Sequence, residues 1–417
     1  MRRLYSIFTA VSDLFLKLTP LFSKKLALLV GGRKRVFKTL SKQFDGTEKI
    51  IWFHCASLGE FEQGLPIMKE VRKRFPEYEL LLTFFSPSGY EIKKNDPVAD
   101  VVTYLPSDTI AHSRRFLDIV KPQLAVFVKY EFWPNYLFEL QDRNIKTILV
   151  SGLFRKDQPF FSPYGGFIRK ALGCFDHLFV QGEPSVELLK SIEVENVTVS
   201  GDTRFDRVSH QIEQSNQIQA IDTLIGDRLC MVCGSTWPED DNILLPYINR
   251  QDAGLLFILV PHVVEAAKIA QLREQLTSHS VLYSEFEKHP DLNANVLIVD
   301  RIGLLSRLYS YADLAYVGGG MGKSGLHNIL EPATFGVPVI IGKNYQKFPE
   351  AIRLESLAGL FSVSDQAELA EVFDKLLNDK ELRRETGLIC EHFIAANTGA
   401  TKKVMAYLEK LYADGLI

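Results

Sequence analysis

At 417 residues the chain exceeds what a single hydrophobic core ordinarily organises, so two or three domains are expected. Hydrophobic residues make up 46% and charged residues 24%, as in an ordinary globular protein. The net charge of -3 argues against a general nucleic-acid binder, which is usually basic overall.

The charge is unevenly spread. The first 44 residues carry Arg2, Arg3, Lys17, Lys24, Lys25, Arg33, Lys34, Arg35, Lys38 and Lys42 against the single acid Asp13. Residues 4–31 are rich in Leu, Phe, Ile and Val, but Asp13, Lys17, Lys24 and Lys25 interrupt every run before it reaches a bilayer-spanning length. Two readings remain for this basic, amphipathic stretch. It lies in the headgroup region of a membrane, or it is a helical hairpin packed on the first domain.

From residue 48 onward, short β-branched runs alternate with amphipathic stretches of helical length. Strands are expected at 50–54, 80–84, 101–104, 124–128, 147–151, 178–181 and 197–200, with helical patterns such as 61–74 and 134–142 between them. The rhythm pauses over a polar stretch near 207–227 and restarts with strands at 229–233, 255–260, 280–283, 296–299, 314–317 and 339–341. Strand and helix in alternation imply a parallel sheet covered on both faces. The expectation is an α/β chain. It comprises a membrane-associating segment (1–45), a first doubly wound domain (46–212), a linker (213–228), a second such domain (229–385) and terminal helices crossing back to the first (386–417). Ligands then belong beyond the carboxyl ends of the strands and in the cleft between the domains.

The five cysteines are scattered. Cys230 and Cys233 have metal-site spacing but fall in a strand, where residues three apart face opposite ways, and no second pair completes a zinc set. Buried thiols in a reducing cytoplasm are the expectation.

The strand-end loops carry the chemistry. After 50–54 comes Cys55-Ala56-Ser57-Leu58-Gly59-Glu60, entering a helix directly. Ser57 and Gly59 suit the turn and cap, leaving backbone N–H groups at the loop. Glu60 is either a partner for the helix dipole or a carboxylate placed to take a proton from a sugar hydroxyl. After 124–128 comes Lys129-Tyr130-Glu131-Phe132-Trp133-Pro134-Asn135, a second acid ahead of a Pro-started helix. Phe132 and Trp133 suit packing more readily than sugar stacking. After 197–200, Arg204 suits a carboxylate or phosphate, unless it is taken by Asp202 or Asp206 in a structural ion pair.

In the second half, Gly318-Gly319-Gly320-Met321-Gly322-Lys323-Ser324-Gly325 follows a strand and leads toward His327-Asn328-Ile329-Leu330-Glu331-Pro332. This is neither a GxxxxGK[ST] nor a GxGxxG phrase, so ATPase and dehydrogenase fingerprints do not apply. A glycine-rich loop before a helix start still suits a phosphate, and Glu331 suits ribose hydroxyls unless it only complements the helix dipole. Pro261-His262 and Gly234-Ser235-Thr236-Trp237 are further strand-end loops. No Asp-x-Asp occurs, so the usual acidic clamp for a metal-bound diphosphate is missing.

Taken in order, three phrases make the chain resemble the bacterial Kdo transferases, which attach 3-deoxy-D-manno-oct-2-ulosonic acid to a lipid A precursor. They are Phe53-His54-Cys55-Ala56-Ser57-Leu58-Gly59-Glu60, Glu131-Phe132-Trp133-Pro134-Asn135 and His327-Asn328-Ile329-Leu330-Glu331-Pro332. The resemblance implies a GT-B glycosyltransferase with two Rossmann-like domains facing a cleft. It implies inverting, metal-independent transfer from CMP-Kdo, with no cofactor, to a hydroxyl of the lipid A precursor lipid IVA at the cytoplasmic face of the inner membrane. It places Glu60 as general base, Glu131 and Arg204 as transition-state stabilisers, Ser57 and Gly59 in the acceptor loop, and Pro261, His262, Ile302, Gly303, Leu304, Asn328, Ile329, Leu330 and Glu331 on CMP. Several phrases depart from the family. Arg204 stands where the family has lysine, and Pro-Arg-His is reduced to Pro261-His262. Asn-Pro-Leu-Glu reads Asn328-Ile329-Leu330-Glu331, and Asn-Ala-Arg reads Ser151-Gly152-Leu153-Phe154-Arg155. A nucleotide-sugar epimerase of the same two-domain form is the alternative, and a non-catalytic sugar- or lipid-binding protein is a further one.

Overall fold

The computed structural model describes residues 1–18, 23–251 and 254–417. These residues divide into two compact units, Met1–Arg207 with Thr398–Ile417, and Val208–Asn397. Each unit is built on one parallel sheet.

The first sheet comprises β1 (Lys49–Cys55), β2 (Tyr78–Phe84), β3 (Val101–Tyr104), β4 (Leu124–Val128), β5 (Lys146–Gly152), β6 (His177–Val180) and β7 (Val197–Val199), in the order β3-β2-β1-β4-β5-β6-β7. The second comprises β8 (Leu229–Thr236), β9 (Leu255–Pro261), β10 (Ser280–Leu282), β11 (Val296–Ile298), β12 (Leu314–Val317), β13 (Val339–Gly342) and β14 (Leu360–Val363), in the order β10-β11-β9-β8-β12-β13-β14. The α/β, doubly wound architecture is therefore as the alternating pattern implies. β14 is the strand that pattern missed. Its four residues include Ser362 and are half-buried at two positions, so they lack the continuous apolar run of a central strand.

Burial explains the central strands. β4 is buried throughout, and β1 at every residue after Lys49, because helices cover both faces of the sheet. In each sheet the strand order reverses at one place, between β1 and β4 and between β8 and β12. Chains leave the sheet in opposite directions there, which opens a crevice at the carboxyl ends of the strands. The loops after β1 and β4 thus meet at one crevice, and those after β8 and β12 at the other.

The amino-terminal segment divides in two. Helices Lys24–Arg33 and Val36–Gln43 bury Leu29, Val36 and Leu40 in the core of the first unit, alongside Trp52 and Phe116. Helix Arg2–Leu16 has no fully buried residue, though Leu16 packs on the core and Tyr5 on Phe167. Its polar side chains face the unit, through Arg2 on Glu139, Tyr5 on Asp108 and Ser6 on Asn135, while Leu4, Ile7, Phe8, Leu14 and Phe15 are all exposed. Among the described residues, no helix is long and apolar enough to cross a membrane.

Two expected boundaries differ from the structure. Segment 213–228, expected to be a linker, belongs to the second unit and carries helix Gln219–Ile225, which buries Ile221 and Leu224. Helix Lys380–Asn397 stays with the second unit, and helix Ala400–Ala413 returns to the first. Asp206 fixes that return, accepting from the backbone N–H groups of Gly399 and Thr401 at the helix start. Val404, Met405, Leu408 and Leu411 then bury against Ile67, Val71 and the β1–β2 face. Leu408 has no solvent exposure, so Leu408→Ala is expected to destabilise the first unit by about 2–5 kcal/mol, read as a lowered urea midpoint.

Candidate active site

β1 delivers the chain to Ser57, which caps helix Leu58–Arg74 by accepting from Gly59 N at 3.3 Å. The same hydroxyl donates to Glu60 Oε2 at 2.5 Å, so the cap residue also orients the acid in the first turn. Lys129 Nζ lies 3.9 Å from the other oxygen, Glu60 Oε1. The Glu60 side chain is 13% exposed: screened from bulk water, yet open to a ligand.

Lys129 follows β4 and has φ +70°, in the left-handed region that a residue with a Cβ rarely adopts. Its N–H donates to Val150 O at 2.9 Å, which holds the turn in place. The next residue, Tyr130, lies between the Lys129 ammonium and the Arg155 guanidinium, 5.0 and 5.7 Å from its ring centre. Burial raises the phenol above its ordinary value, Arg155 and Arg204 oppose that, and the carboxylates of Glu60 and Asp202 add to it. Tyr130 is thus within electrostatic reach of Glu60, Asp202 and Arg204 together.

Glu131 is held by a chain of polar side chains running back into the core. Trp133 Nε1 donates to Glu131 Oε2 at 2.7 Å, and His54 Nε2 lies 3.1 Å from the same oxygen. His54, fully buried, has Nδ1 2.9 Å from Thr83 Oγ1, and Trp52 Nε1 donates to that hydroxyl at 2.8 Å. Thr83 Oγ1 also lies 3.3 Å from Phe53 O, and Trp133 Nε1 also lies 3.0 Å from His54 Nε2. With its proton on Nε2, His54 donates to Glu131 and accepts from Thr83; with its proton on Nδ1, it donates to Thr83 and accepts from Trp133. Phe132 packs with Phe154, Phe160 and Phe175, and Trp133 stacks on Phe85, in keeping with the packing reading of both.

Arg204 is engaged with Asp202. Its Nε and Nη2 donate to Asp202 Oδ2 at 2.9 and 2.7 Å, and its backbone N–H donates to Oδ1 at 2.9 Å. Gln63, on the helix that carries Glu60, donates to Oδ1 at 3.0 Å. Burial is the largest single influence on the Asp202 carboxyl and pushes it up; the Arg204 charge and these hydrogen bonds together outweigh burial and hold it below the usual range. The ion pair weighed for Arg204 is therefore present.

In the second unit the ends of β8, β9 and β12 bring three rings together. Trp237 stacks on His262 with ring centres 4.6 Å apart, His262 stacks on His327 at 4.5 Å, and Trp237 Nε1 donates to His327 Nε2 at 3.0 Å. Burial, with His262 adding, pushes the His327 imidazole down to about 4. Asn328 Nδ2 donates to Glu331 Oε1 at 3.2 Å, while Asn328 Oδ1 accepts from Leu330 N. Ile302 is 84% exposed on the loop after β11, beside Gly303 at φ +94°.

Part of the glycine-rich loop is bound from within the unit. Buried Asp240 accepts from Gly319 N at 2.8 Å and from Met321 N at 3.4 Å, and also from Tyr316 Oη at 2.9 Å. Those two backbone donors are therefore spent inside the protein. The glycines answer a steric need instead, since a Cβ on Gly318 would lie 2.4 Å from Ser235 O and one on Gly320 2.8 Å from Gly342 N. The helix after the loop is only Leu330–Ala333, so Glu331 stands in a single turn rather than at the head of a long dipole.

His54, Lys129 and Asp240 are residues at these sites that sequence reasoning did not single out, and Asp202 entered only as a possible ion-pair partner of Arg204. Lys129 carried a signal, as a cation directly ahead of Tyr130-Glu131 at a strand end. All five cysteines are free and buried, as expected of structural thiols. Among the described residues, no group of three or more His, Cys, Asp or Glu is arranged to hold a metal.

Comparison with known proteins identifies the family. Residues 32–207 match the family described as 3-Deoxy-D-manno-octulosonic-acid transferase (kdotransferase), and residues 283–388 match Glycosyl transferases group 1. A bifunctional glycosyltransferase/methyltransferase of Fusobacterium nucleatum is 30% identical over 84% of this chain, which spans 56% of that protein's length. A 3-deoxy-D-manno-octulosonic acid transferase of Aquifex aeolicus is 30% identical over 79% of this chain and 87% of its own length. In fold, the UDP-GlcNAc 2-epimerase of Neisseria meningitidis matches 87% of this chain and 100% of its own with a TM-score of 0.63, at 15% identity. With the match over residues 32–207 and the Aquifex relative, the chain belongs to the 3-deoxy-D-manno-octulosonic acid transferase family of glycosyltransferases, built on the GT-B fold.

Proposed function

We propose that this glycosyltransferase moves Kdo from CMP-Kdo to a hydroxyl of the lipid A precursor lipid IVA, at the cytoplasmic leaflet of the inner membrane, by an inverting and metal-independent displacement. The observation that carries this reading is the pair of acids at the first crevice. Glu60 and Glu131 follow neighbouring strands, and each is held by its own donors. The alternative of an epimerase rests on fold likeness alone, which does not bear on the reaction.

In the proposed reaction Glu60 takes the proton of the acceptor hydroxyl as that oxygen bonds to the anomeric carbon of Kdo. The bond from that carbon to the CMP phosphate breaks, and CMP leaves with the electron pair. Ser57 and Lys129 hold the Glu60 carboxylate in one orientation. Ser57 and Gly59 shape the acceptor loop. Glu131 faces the positive charge that builds on the sugar ring, and Arg204, although paired with Asp202, is the cation assigned to the negative charge on the departing phosphate. In this reading Pro261, His262, Ile302, Gly303, Leu304, Asn328, Ile329, Leu330 and Glu331 hold CMP, and the Trp237–His262–His327 cluster supplies ring faces where the family carries an arginine. The exposed apolar side chains of helix Arg2–Leu16, between basic residues, suit a peripheral position on an anionic membrane. Mass spectrometry of lipid IVA incubated with the protein and CMP-Kdo tests the reaction; no mass gain would sink it.

Glu60→Gln is expected to lower kcat by about 10²–10⁴-fold with CMP affinity unchanged, measured by CMP release and by calorimetry. A near-wild-type rate would remove Glu60 as the base.

His54→Phe keeps an aromatic ring but removes the ring nitrogens that link Glu131 and Trp133 to Thr83. An expected loss of about tenfold in kcat with little change in acceptor KM would distinguish a positioning role from a contact with substrate.

For His327 the folded value, about 4, lies below the ordinary 6.5, so the unfolded chain binds the extra proton between them. Stability of the second unit is therefore complete above about pH 6.5 and falls as pH drops toward about 4. His327→Phe should flatten that fall in urea melts recorded at stepwise pH, and an unchanged slope would assign it to other groups.

A further inference from the structure

A cavity of about 220 Å³ lies in the first unit, away from the acids, where the amino-terminal helices meet the loop before helix Ile110–Val120. Four cations line it, Lys17, Arg33, Lys34 and Arg115, against one acid, Asp13, which pairs with Lys17 at 3.1 Å. Arg115 stacks over the Phe37 ring, and among the described residues neither it nor Lys34 forms an ion pair. The cavity therefore has an excess of positive charge.

Arg33 sets its chemistry. Nη1 donates to Ser107 Oγ at 3.1 Å and the guanidinium lies 4.9 Å above the Phe85 ring, which fixes the plane of the group. Nε and Nη2 are buried without a hydrogen-bond partner among the described residues. These two atoms form one edge of the guanidinium, the edge that meets two oxygens of a phosphate side by side. Buried donors left unmade are costly, so an edge kept in this state points to an acceptor that arrives from outside.

The surroundings say what carries that acceptor. The rest of the wall is Leu16, Val30, Phe37 and Pro106, with Ser107 and His112 beside them. Asp13 and Leu16 belong to helix Arg2–Leu16, whose outer face exposes Phe8, Val11 and Phe15. A continuous line of contacts also joins the cavity to the acids. Arg33 lies on Phe85, Phe85 stacks on Trp133 at 4.9 Å, and Trp133 donates to Glu131 at 2.7 Å.

From the unpartnered edge of Arg33, the surplus charge and the largely apolar wall, we infer that this cavity is a binding site for a phosphate group on an amphiphile. The phosphate sits on the Arg33 edge with Lys34 and Arg115 at the rim, and the amphiphile's chains lie along helix Arg2–Leu16. Two sources share that chemistry, the phosphorylated sugar head of the acceptor and an anionic phospholipid of the bilayer. The first rests on the reaction proposed above; the second does not.

The test uses the full chain, as Arg33→Gln and, in case that half-buried change unfolds the protein, as the surface pair Lys34→Ser with Arg115→Ser. One arm measures KM for lipid IVA and for the same lipid after phosphatase treatment. The other measures sedimentation with phosphatidylglycerol vesicles and with phosphatidylcholine vesicles, and involves no sugar transfer. A rise of about tenfold in KM confined to the phosphorylated lipid supports the site and names the acceptor as its source. A comparable loss confined to phosphatidylglycerol vesicles supports the site and names the bilayer. If the variants match wild type in both arms, or weaken phosphorylated and phosphate-free partners equally, the inference is overturned. Absence of transfer by the wild-type chain would sink the proposed reaction, while the vesicle arm would still decide the site.

Discussion

A parallel sheet covered by helices on both faces leaves its polar side chains little place but the strand ends, and both units are built under that constraint. The runs Ile50–Phe53 and Leu124–Val128 are wholly buried, so the acids that follow them emerge only where the chain turns into the covering helix. Strand reversal between β1 and β4 then sets two such turns side by side. The second unit repeats the device with β8 and β12, and the crossing is tight enough that Gly318 admits no side chain against Ser235 and Thr236. Some of these turns are strained as well: Lys129, Ser151 and Ser235, near the ends of β4, β5 and β8, have positive φ without being glycine.

Placing charge at these turns requires partners, and the partners differ in cost. Glu60 has one hydroxyl donor and a distant ammonium. Glu131 is bound by Trp133 and His54, which fix its position. Asp202 is buried, and an uncompensated carboxylate there would be prohibitive. Arg204 and Gln63 remove that cost, and in doing so they tie the turn after β7 to the helix that carries Glu60. The three turns therefore share one electrostatic environment, in which Tyr130 is the common neighbour.

Period and punctuation carried the fold in the sequence. Alternating strand and helix, with turns at fixed intervals, place thirteen of the fourteen strands, and β14 escaped because Ser362 breaks its apolar run. Residues at strand ends were legible for the same reason, Glu60 and Glu131 among them. What was not legible depends on contacts between distant residues. His54 reads as the last inward residue of a strand, and only the fold sets it against Glu131, 77 positions away. Asp240 reads as an ordinary helix-start acid. Only the fold shows it reaching Gly319, 79 positions on, and occupying a donor that local sequence assigns to a phosphate.

The amino-terminal helix shows how such distant contacts connect a surface to a site. An amphipathic helix on a soluble domain normally turns its apolar face inward; Arg2–Leu16 does the reverse, and polar bonds hold it. Tyr5 Oη donates to Asp108 at 2.7 Å, and Asp108, whose carboxyl burial pushes up to about 6, also accepts from Asn135 N and Tyr136 N. Those two amides open helix Pro134–Asp142, the helix that leaves the Glu131 loop. Three interactions therefore separate the exposed apolar face from Glu131: a phenol on a carboxylate, the carboxylate on a helix start, and that helix start on the loop. A helix held this way does not float beside the domain. Whatever its apolar face rests on is placed in register with the Glu131 loop, which Arg33 also reaches through Phe85 and Trp133.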